Sequence, residues 1–92
     1  MKKLRVGVVG VGHIGTNHAR IYSEIAPAAD FTAIYDVDLA RANSISRKYG
    51  GTAAKSLDEF AELIDAASIA TPTSSHHEIA LQLLRRGKHL LV

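Results

Sequence analysis

The sequence contains no cysteine, two prolines and few aromatic residues. Without cysteine the protein has no disulfide framework, no thiolate zinc site and no catalytic thiol, and it suits a reducing compartment, so we expect the cytoplasm. Nowhere does the sequence approach the ~18 consecutive apolar residues that a membrane-spanning helix requires. We therefore expect no membrane partner.

The sequence also lacks a large excess of charge of either sign. There are 11 Lys+Arg and 9 Asp+Glu, which gives a formal net charge of +2. No basic run is longer than a pair such as Lys2-Lys3 or Arg85-Arg86. A nucleic-acid-binding surface needs clustered basic residues, preferably with aromatic side chains for stacking. The composition therefore argues against a nucleic-acid partner.

What the sequence does contain is a regular alternation of short apolar runs and longer amphipathic segments. With 92 residues, 47% of them hydrophobic, the chain is sufficient for one small folded domain. The apolar runs predict five strands, at 4–9, 31–35, 52–54, 66–70 and 89–92. Spacings of three and four predict four helices: Ile14 to Pro27, 39–49 before Gly50, 57–64 after a Ser56 cap, and one capped by Ser74 or Ser75 that closes at Gly87.

The predicted strands are almost continuously apolar, which is typical of parallel strands buried on both faces. Strand–helix alternation at this spacing indicates βαβ crossovers. We therefore predict an α/β fold, a doubly wound parallel sheet of five strands in the order 3-2-1-4-5 with flanking helices.

The strongest motif is Gly10-Val11-Gly12-His13-Ile14-Gly15, which directly follows a predicted strand and opens a predicted helix. In that context Gly10 permits the tight turn, Gly12 lets the backbone approach a pyrophosphate, and Gly15 allows the helix to pack close to the strand. The pyrophosphate would lie at the helix N-terminus, near free N–H groups and the positive end of the helix dipole. This is the fingerprint of a Rossmann dinucleotide site.

Asp36 supplies the second half of the fingerprint, because it ends the second predicted strand 21 residues after Gly15. A carboxylate there accepts hydrogen bonds from the adenosine ribose and repels a 2′-phosphate. We therefore expect NAD rather than NADP, although Arg41 is near enough to soften the preference. The alternative is that the glycines serve only a tight turn and Asp36 is a solvated loop acid. The register of strand, glycines, helix and acid favours the binding site.

The sequence resembles the Gfo/Idh/MocA family of oxidoreductases. The resemblance covers essentially the whole chain and is carried by five stretches: 6–15, 17–19, 35–38, 70–80 and 87–92. Within the family, the stretch from His13 to Glu24 is similar to nucleotide-sugar 3-dehydrogenases acting on UDP-N-acetylhexosamine derivatives.

This resemblance implies an NAD(P)-dependent enzyme that oxidises or reduces a sugar, inositol or nucleotide-sugar hydroxyl or carbonyl. It also implies a second, substrate-binding domain and a homo-oligomer for the full-length protein. In the family, the segment matching Thr71-Pro72-Thr73 passes the ribose on the nicotinamide side, and His76 lies close by. The expected cofactor-binding residues are therefore Gly10, Gly12, His13, Ile14, Gly15, Asp36, Arg41, Thr71, Pro72, Thr73 and His76.

The family motif continues with Glu-Lys-Pro, whose lysine assists proton transfer, and this sequence stops at Val92. We therefore expect residues 1–92 to be a dinucleotide-binding fragment that lacks the substrate domain and holds no catalytic residue, so that it binds cofactor without catalysing the reaction. The alternative is a non-catalytic dinucleotide-binding module with a regulatory or redox-sensing role. Five histidines raise the question of a metal. No two are spaced i, i+4, and we expect no metal site.

Overall fold

The computed structural model describes residues 4–10, 12, 15, 18–21, 29–71 and 73–91. The strands in this part of the chain are β1 (Leu4–Val9), β2 (Ala29–Tyr35), β3 (Thr52–Ala53), β4 (Ala66–Ile69) and β5 (His89–Leu91). The helices are α1, of which residues 15 and 18–21 are described, α2 (Leu39–Tyr49), α3 (Leu57–Glu62) and α4 (Thr73–Arg85). Within these ranges no helix has the length and apolar character needed to cross a bilayer.

The five strands form one sheet in the order β3-β2-β1-β4-β5, and every strand pair is parallel. This confirms the predicted α/β architecture and the predicted strand order. β1 and β4 lie inside the sheet, and all four residues of β4 are buried. Burial on both faces explains why these strands are mostly apolar and do not alternate with polar residues.

Helices pack on both faces of the sheet. Val8 and Ile34 point to one face, where they pack with Ala19 of α1 and Ala42 of α2. Their chain neighbours point to the opposite face, where the main core contains Val9, Ala33, Ala54, Phe60, Ala61, Ile64, Ala67, Ile69 and Leu83. The period of two along each strand thus separates the α1–α2 layer from the α3–α4 layer.

A local irregularity occurs where β1 pairs with β2. Val6 pairs with Phe31 but Gly7 pairs with Ala33, so Thr32 has no partner residue in β1. The Thr32 hydroxyl donates to the carbonyl oxygen of Leu63 at 2.6 Å and so ties the bulge to the end of α3. Extra residues of this kind bend a strand and increase its twist.

Gly7 lies at this bulge and permits close packing on the α3 side. A Cβ there would lie 2.6 Å from Phe60 Cε1 and 2.7 Å from Ile64 Cγ2. Both side chains are completely buried, so neither has room to move aside. Glycine at this position is therefore required by packing.

Helix α2 begins and ends where the sequence indicates. The Asp38 carboxylate accepts a hydrogen bond from Arg41 N at the N-terminus, and Gly50 ends the helix with φ 93°. At α3 the predicted Ser56 cap is confirmed, since its hydroxyl accepts from Glu59 N.

Other boundaries differ from the prediction. β2 starts two residues early, because Ala29 pairs with Leu4 at the start of β1. β3 and β4 each end one residue early. α4 begins at Thr73, so the prediction that a serine at 74 or 75 caps it was wrong.

Helix α3 ends at Glu62, two residues before the predicted end. Leu63 N bonds to Phe60 O as the last turn tightens, and two cations bind the carbonyl groups that follow. Arg5 Nη1 donates to Glu62 O at 3.3 Å, and Lys88 Nζ donates to Ile64 O at 3.0 Å. These side chains replace the helical partners that carbonyl groups at a helix end lack.

Arg5 and Asp65 join the amino ends of β1 and β4. The Asp65 carboxylate accepts from Arg5 N at 2.8 Å and from Arg5 Nη2 at 3.1 Å. In return, Asp65 N donates to Arg5 O at 2.8 Å. The hydrogen bonds from the Arg5 side chain and backbone hold the pKa of Asp65 below its ordinary value.

We expect Gly7→Ala to lower the free energy of unfolding by about 1–3 kcal/mol, because the added methyl group overfills the space against Phe60 and Ile64. Urea denaturation monitored by circular dichroism measures the change. As a control, Phe60→Leu removes ring atoms from the clash, so Gly7→Ala should cost less in the Phe60→Leu background. Equal costs in the two backgrounds would show that the contact does not require glycine.

We expect Asp65→Asn to destabilise the chain at neutral pH and to remove part of its acid sensitivity. A carboxyl whose pKa is lowered on folding stabilises the chain above its unfolded pKa of about 3.9, and this contribution disappears as the pH falls through the folded value. The difference from wild type should therefore shrink below about pH 4, as measured by urea denaturation at a series of pH values. Asp58→Asn is the control, since Asp58 pairs with Arg86 on the surface with 74% of its side chain exposed. An equal effect of both variants would contradict the role of Asp65.

Candidate functional site

The carboxyl ends of β1, β2 and β4 are held together by backbone hydrogen bonds. Gly10, the first residue after β1, donates from its N–H to Tyr35 O at 2.8 Å. On the other side of β1, Ala70 N donates to Val9 O at 2.8 Å. The loops that leave these three strands therefore start next to one another.

This end of the sheet is where the strand order reverses. From β1 the chain proceeds to β2 and β3 on one side, and β4 and β5 are added on the other. The loop after β1 and the loop after β4 consequently depart toward opposite sides. In open α/β sheets this switch point leaves a crevice, and ligands bind there.

Two glycines make the turn after β1 possible. Gly10 has φ 85°, a left-handed conformation that residues with a Cβ rarely adopt. A Cβ on Gly15 would lie 1.6 Å from the carbonyl oxygen of Gly10, so the start of α1 approaches the turn too closely for any side chain. Gly15 is thus required by the architecture itself.

Gly12 differs from both. A Cβ placed on Gly12 meets no atom within 4 Å among the residues that the structure describes. Packing in this part of the chain therefore gives no reason for a glycine here. An open approach to backbone atoms is what a pyrophosphate beside a helix N-terminus requires.

Thr71 lies on the opposite side of the crevice, after β4. Its methyl carbon Cγ2 would be 2.9 Å from a Cβ on Gly10, so the two residues are in close contact. Its hydroxyl Oγ1 is buried and has no hydrogen-bond partner within the described ranges. A buried hydroxyl without a partner is costly. This hydroxyl is therefore a candidate hydrogen-bonding group for a ligand at the switch point.

Asp36 follows β2 and is a fixed, nearly buried carboxylate. The residue is 8% exposed, and its Oδ1 accepts from Asp38 N at 2.8 Å. Asp38 in turn caps α2 by accepting from Arg41 N at 3.2 Å. The Asp36 and Asp38 side chains each accept a hydrogen bond from a backbone N–H two or three residues later, which fixes the direction of the Asp36 side chain.

Arg41 provides a positive charge beside this carboxylate. Its Nη1 is 3.9 Å from Asp36 Oδ2, at the long end of an ion pair. The Arg41 side chain is 52% exposed, whereas that of Asp36 is 6% exposed. A long, exposed pair is weak, so the Asp36 carboxylate is fixed and the Arg41 guanidinium is comparatively free to reorient.

The other predicted site residues lie on α4 or outside the described ranges. Thr73 is the first residue of α4, and His76 lies one turn into this helix, half-buried. No hydrogen bond or ion pair within the described ranges joins His76 to Thr71 or Asp36. His13, Ile14 and Pro72 lie outside those ranges. Among the described residues no three His, Asp or Glu side chains are grouped to hold a metal ion.

A polar pair that the sequence analysis did not predict lies beneath the turn. The Nδ1 atom of His18 in α1 and the hydroxyl oxygen of Ser68 in β4 are 2.7 Å apart and hydrogen-bonded. Ser68 is 3% exposed. The available signal was a single hydroxyl residue inside an otherwise apolar strand, together with a histidine one turn into the helix after the glycine motif.

Comparison with known proteins bears on this geometry. A family model described as "Oxidoreductase family, NAD-binding Rossmann fold" (Gfo/Idh/MocA) matches residues 4–92. The chain is 36% identical over 92 residues to a UDP-N-acetylglucosamine 3-dehydrogenase of Acidithiobacillus ferrooxidans, and the match covers 100% of this chain and 28% of that relative. The chain therefore spans less than a third of this relative's length.

Solved structures agree with the sequence matches. A structure of the Acidithiobacillus ferrooxidans dehydrogenase has a TM-score of 0.90 at 35% identity and covers 99% of this chain and 29% of its own. A protein from gentamicin A biosynthesis in complex with NAD has a TM-score of 0.91 at 29% identity, and the match covers 100% of this chain and 27% of that protein. A 3-ketoreductase of Actinomadura kijaniata in complex with TDP-benzene and NADP has a TM-score of 0.86 at 30% identity, and the match covers 98% of this chain and 29% of that protein.

A parallel sheet in the predicted order, a glycine turn at its switch point and a family match over 89 of the 92 residues, positions 4 to 92, agree with one another. The chain belongs to the Gfo/Idh/MocA family of oxidoreductases, as a dinucleotide-binding domain with the Rossmann fold.

Proposed function

We propose that this chain is the cofactor-binding part of an NAD-dependent dehydrogenase that acts on a sugar, an inositol or a nucleotide sugar. The proposal depends on one observation. The glycine turn, the fixed Asp36 carboxylate and the buried hydroxyl of Thr71 follow three neighbouring strands at the switch point of the sheet. Together they offer groups suited to the pyrophosphate and the two ribose units of a dinucleotide.

The pyrophosphate would lie against the turn between β1 and α1. Helix N-termini present free N–H groups and the positive end of the helix dipole, both of which favour an anion. Gly12 supports this placement because a Cβ there points into open space with respect to the described residues. His13 and Ile14, between the second and third glycines, stay predicted contacts of the same turn.

The adenosine ribose would bind Asp36. An ionised carboxylate accepts several hydrogen bonds, so the Asp36 carboxylate, which accepts from Asp38 N, is a group of the kind that binds ribose hydroxyls. A 2′-phosphate would instead meet the negative charge of a nearly buried group. NAD is therefore the preferred cofactor. Arg41, 3.9 Å away, reduces the preference by offering a positive charge to a 2′-phosphate.

The ribose on the nicotinamide side would pass Thr71, whose hydroxyl is buried and unpaired among the described residues. Pro72, Thr73 and His76 belong to the same proposed contact through the family resemblance. Bound NAD supplies the hydride acceptor, and NADH the hydride donor, for the alcohol–carbonyl interconversion. The residues of this chain bind and orient the dinucleotide, and we assign no acid–base step to any of them.

Substrate recognition and turnover belong to the whole protein. The relative from Acidithiobacillus ferrooxidans is named for a nucleotide-sugar substrate, and this chain spans 28% of its length. We infer a substrate of the same chemical class, a hydroxyl-bearing sugar or cyclitol, bound by a further domain in a homo-oligomer, with the cytoplasm as the expected location. Residues 1–92 alone should bind dinucleotide without catalysing the reaction.

We expect Gly12→Ala to weaken NADH binding at least tenfold while leaving the fold intact, because the methyl group enters space proposed for the pyrophosphate. The unfolding free energy should stay within about 0.5 kcal/mol of wild type, as for surface substitutions. Fluorescence titration with NADH and urea denaturation measure the two effects. Gly15→Ala is the matched control and should destabilise the fold, because its Cβ would lie 1.6 Å from Gly10 O. Unchanged NADH affinity in Gly12→Ala would overturn the proposed pyrophosphate position.

We expect Asp36→Asn to reduce the preference for NADH over NADPH by about tenfold or more, since hydrogen bonds to charged groups are worth ~1.5–3 kcal/mol. Calorimetric titration with each dinucleotide gives the ratio of the two dissociation constants. Asp38→Asn is the control: it removes the same charge two residues away and keeps an oxygen to cap α2. If both variants change the ratio equally, the preference comes from the general charge of this loop and not from a ribose contact.

A further inference from the structure

We propose that the hydrogen bond between His18 and Ser68 is a positioning contact that sets the distance between the two sides of the dinucleotide site. One side is the start of α1 with its glycine turn, and the other is the segment after β4 that carries Thr71. The inference rests on the proposed function, because it concerns how a ligand that spans both sides is held.

The contact is short and partly buried, and its Ser68 side is buried. His18 Nδ1 lies 2.7 Å from Ser68 Oγ, and the histidine tautomer determines which of the two atoms donates. Ser68 is 3% exposed, and its neighbours in β4 are two alanines and Ile69. A hydroxyl inside an apolar layer is stable only when it is hydrogen-bonded. His18 therefore has a specific partner that fixes its place above the sheet.

The position of α1 follows from the strand residues that it contacts on one face of the sheet. Ser68 pairs with Val8 of β1, and Val8 packs with Ala19. The cluster around Ala19 also contains Ile34 of β2, on the far side of β1 from Ser68. Successive residues of α1 thus contact opposite sides of β1: Ala19 toward β2, and His18 toward β4.

A second contact lies one helical turn nearer the turn of glycines. Residues three apart share a helix face, and residues two apart share a strand face. Gly15 therefore lies on the same side of α1 as His18, and Ala70 follows Ser68 on the same side of the chain. A Cβ on Gly15 would lie 3.4 Å from Ala70 Cβ, so this second pair is also close. Helix α1 consequently runs alongside β4 with two points of contact.

These two contacts differ in what they constrain. The approach of Gly15 to Ala70, like the packing of Ala19, brings small apolar groups together and fixes no direction. The hydrogen bond of His18 is directional, so it fixes the rotation and height of α1 relative to β4. Thr71 directly follows Ala70, and its buried hydroxyl lacks a partner among the described residues. A shift of α1 along β4 would therefore change the distance from the turn to Thr71.

This geometry predicts a difference between ligands. ADP carries the adenosine ribose and the diphosphate, so it contacts Asp36 and the turn but does not reach Thr71. NADH spans both sides of the site. Loss of the hydrogen bond should therefore weaken NADH far more than ADP, because ADP can follow a shifted helix.

The test is calorimetric titration of wild type, Ser68→Ala and His18→Asn with NADH and with ADP. Ser68→Ala should raise the ratio of the NADH to the ADP dissociation constant about tenfold, the size expected for one lost hydrogen bond to a single ring or hydroxyl group. His18→Asn keeps a hydrogen-bonding group near the position of Nδ1, and its ratio should return to within about threefold of wild type.

Thr32→Val is the matched control. It removes a different sheet hydroxyl, the one that donates to Leu63 O, and leaves α1 untouched. It should lower the melting temperature without changing the NADH to ADP ratio. An unchanged ratio in Ser68→Ala, or an equal change in Thr32→Val, would overturn the proposal.

The amide resonances of Gly12, Gly15 and Thr71 provide a readout that needs no ligand. In the free chain Ser68→Ala should shift these resonances and Thr32→Val should not, while unshifted resonances in Ser68→Ala would contradict a positioning role. Failure of wild type to bind NADH and ADP would refute the proposed function separately. Should Ser68→Ala not fold, the comparison of His18→Asn with His18→Leu tests the same hydrogen bond, and equal ratios in those two variants would count against it.

Discussion

The candidate site depends on how closely α1 approaches the turn after β1. Any side chain at position 15 would occupy the place of the Gly10 carbonyl oxygen, since its Cβ would lie only 1.6 Å from that atom. This approach puts the first turn of the helix directly over the end of the central strand. A helix that starts at this place directs the positive end of its dipole toward the switch point of the sheet, where ligands bind in open α/β sheets. Without the approach, the glycine motif would be an ordinary loop, and the site proposed between Asp36 and Thr71 would lack its pyrophosphate-binding turn.

A second close approach at a glycine lies further back in β1, at Gly7. There Gly7 admits the ring of Phe60 to the sheet, and the bulge at Thr32 ties β2 to the end of α3. The ion pair of Arg5 and Asp65 joins the amino ends of the strands on the same side of the molecule. Close packing and ion pairing therefore hold the sheet together from its middle to its amino ends, in addition to the close approach of α1 at the carboxyl end.

The elements and their order could be predicted from the sequence because periodicity, glycine and capping residues report local structure directly. The Ser56 cap and the Gly50 stop are such local signals, and both are confirmed. The end of α3 was misjudged because Arg5 and Lys88, distant in sequence, bind its last carbonyl groups. The pair of His18 and Ser68 was missed for the same reason, since 50 residues separate its members. That Gly10 and Asp36 directly follow their strands could be predicted from the sequence, whereas the long-range contacts around them could not.

Different features of the chain determine its fold and its choice between NAD and NADP. A complex with NAD and a complex with NADP both match this chain over nearly its whole length. The backbone therefore does not select the cofactor, and the selection has to come from side chains near the 2′ position of the ribose. In this chain the side chains proposed for that position are a fixed, nearly buried Asp36 and a half-exposed Arg41. The proposed preference for NAD therefore depends on a carboxylate whose direction is fixed, and the half-exposed guanidinium beside it would limit the size of that preference.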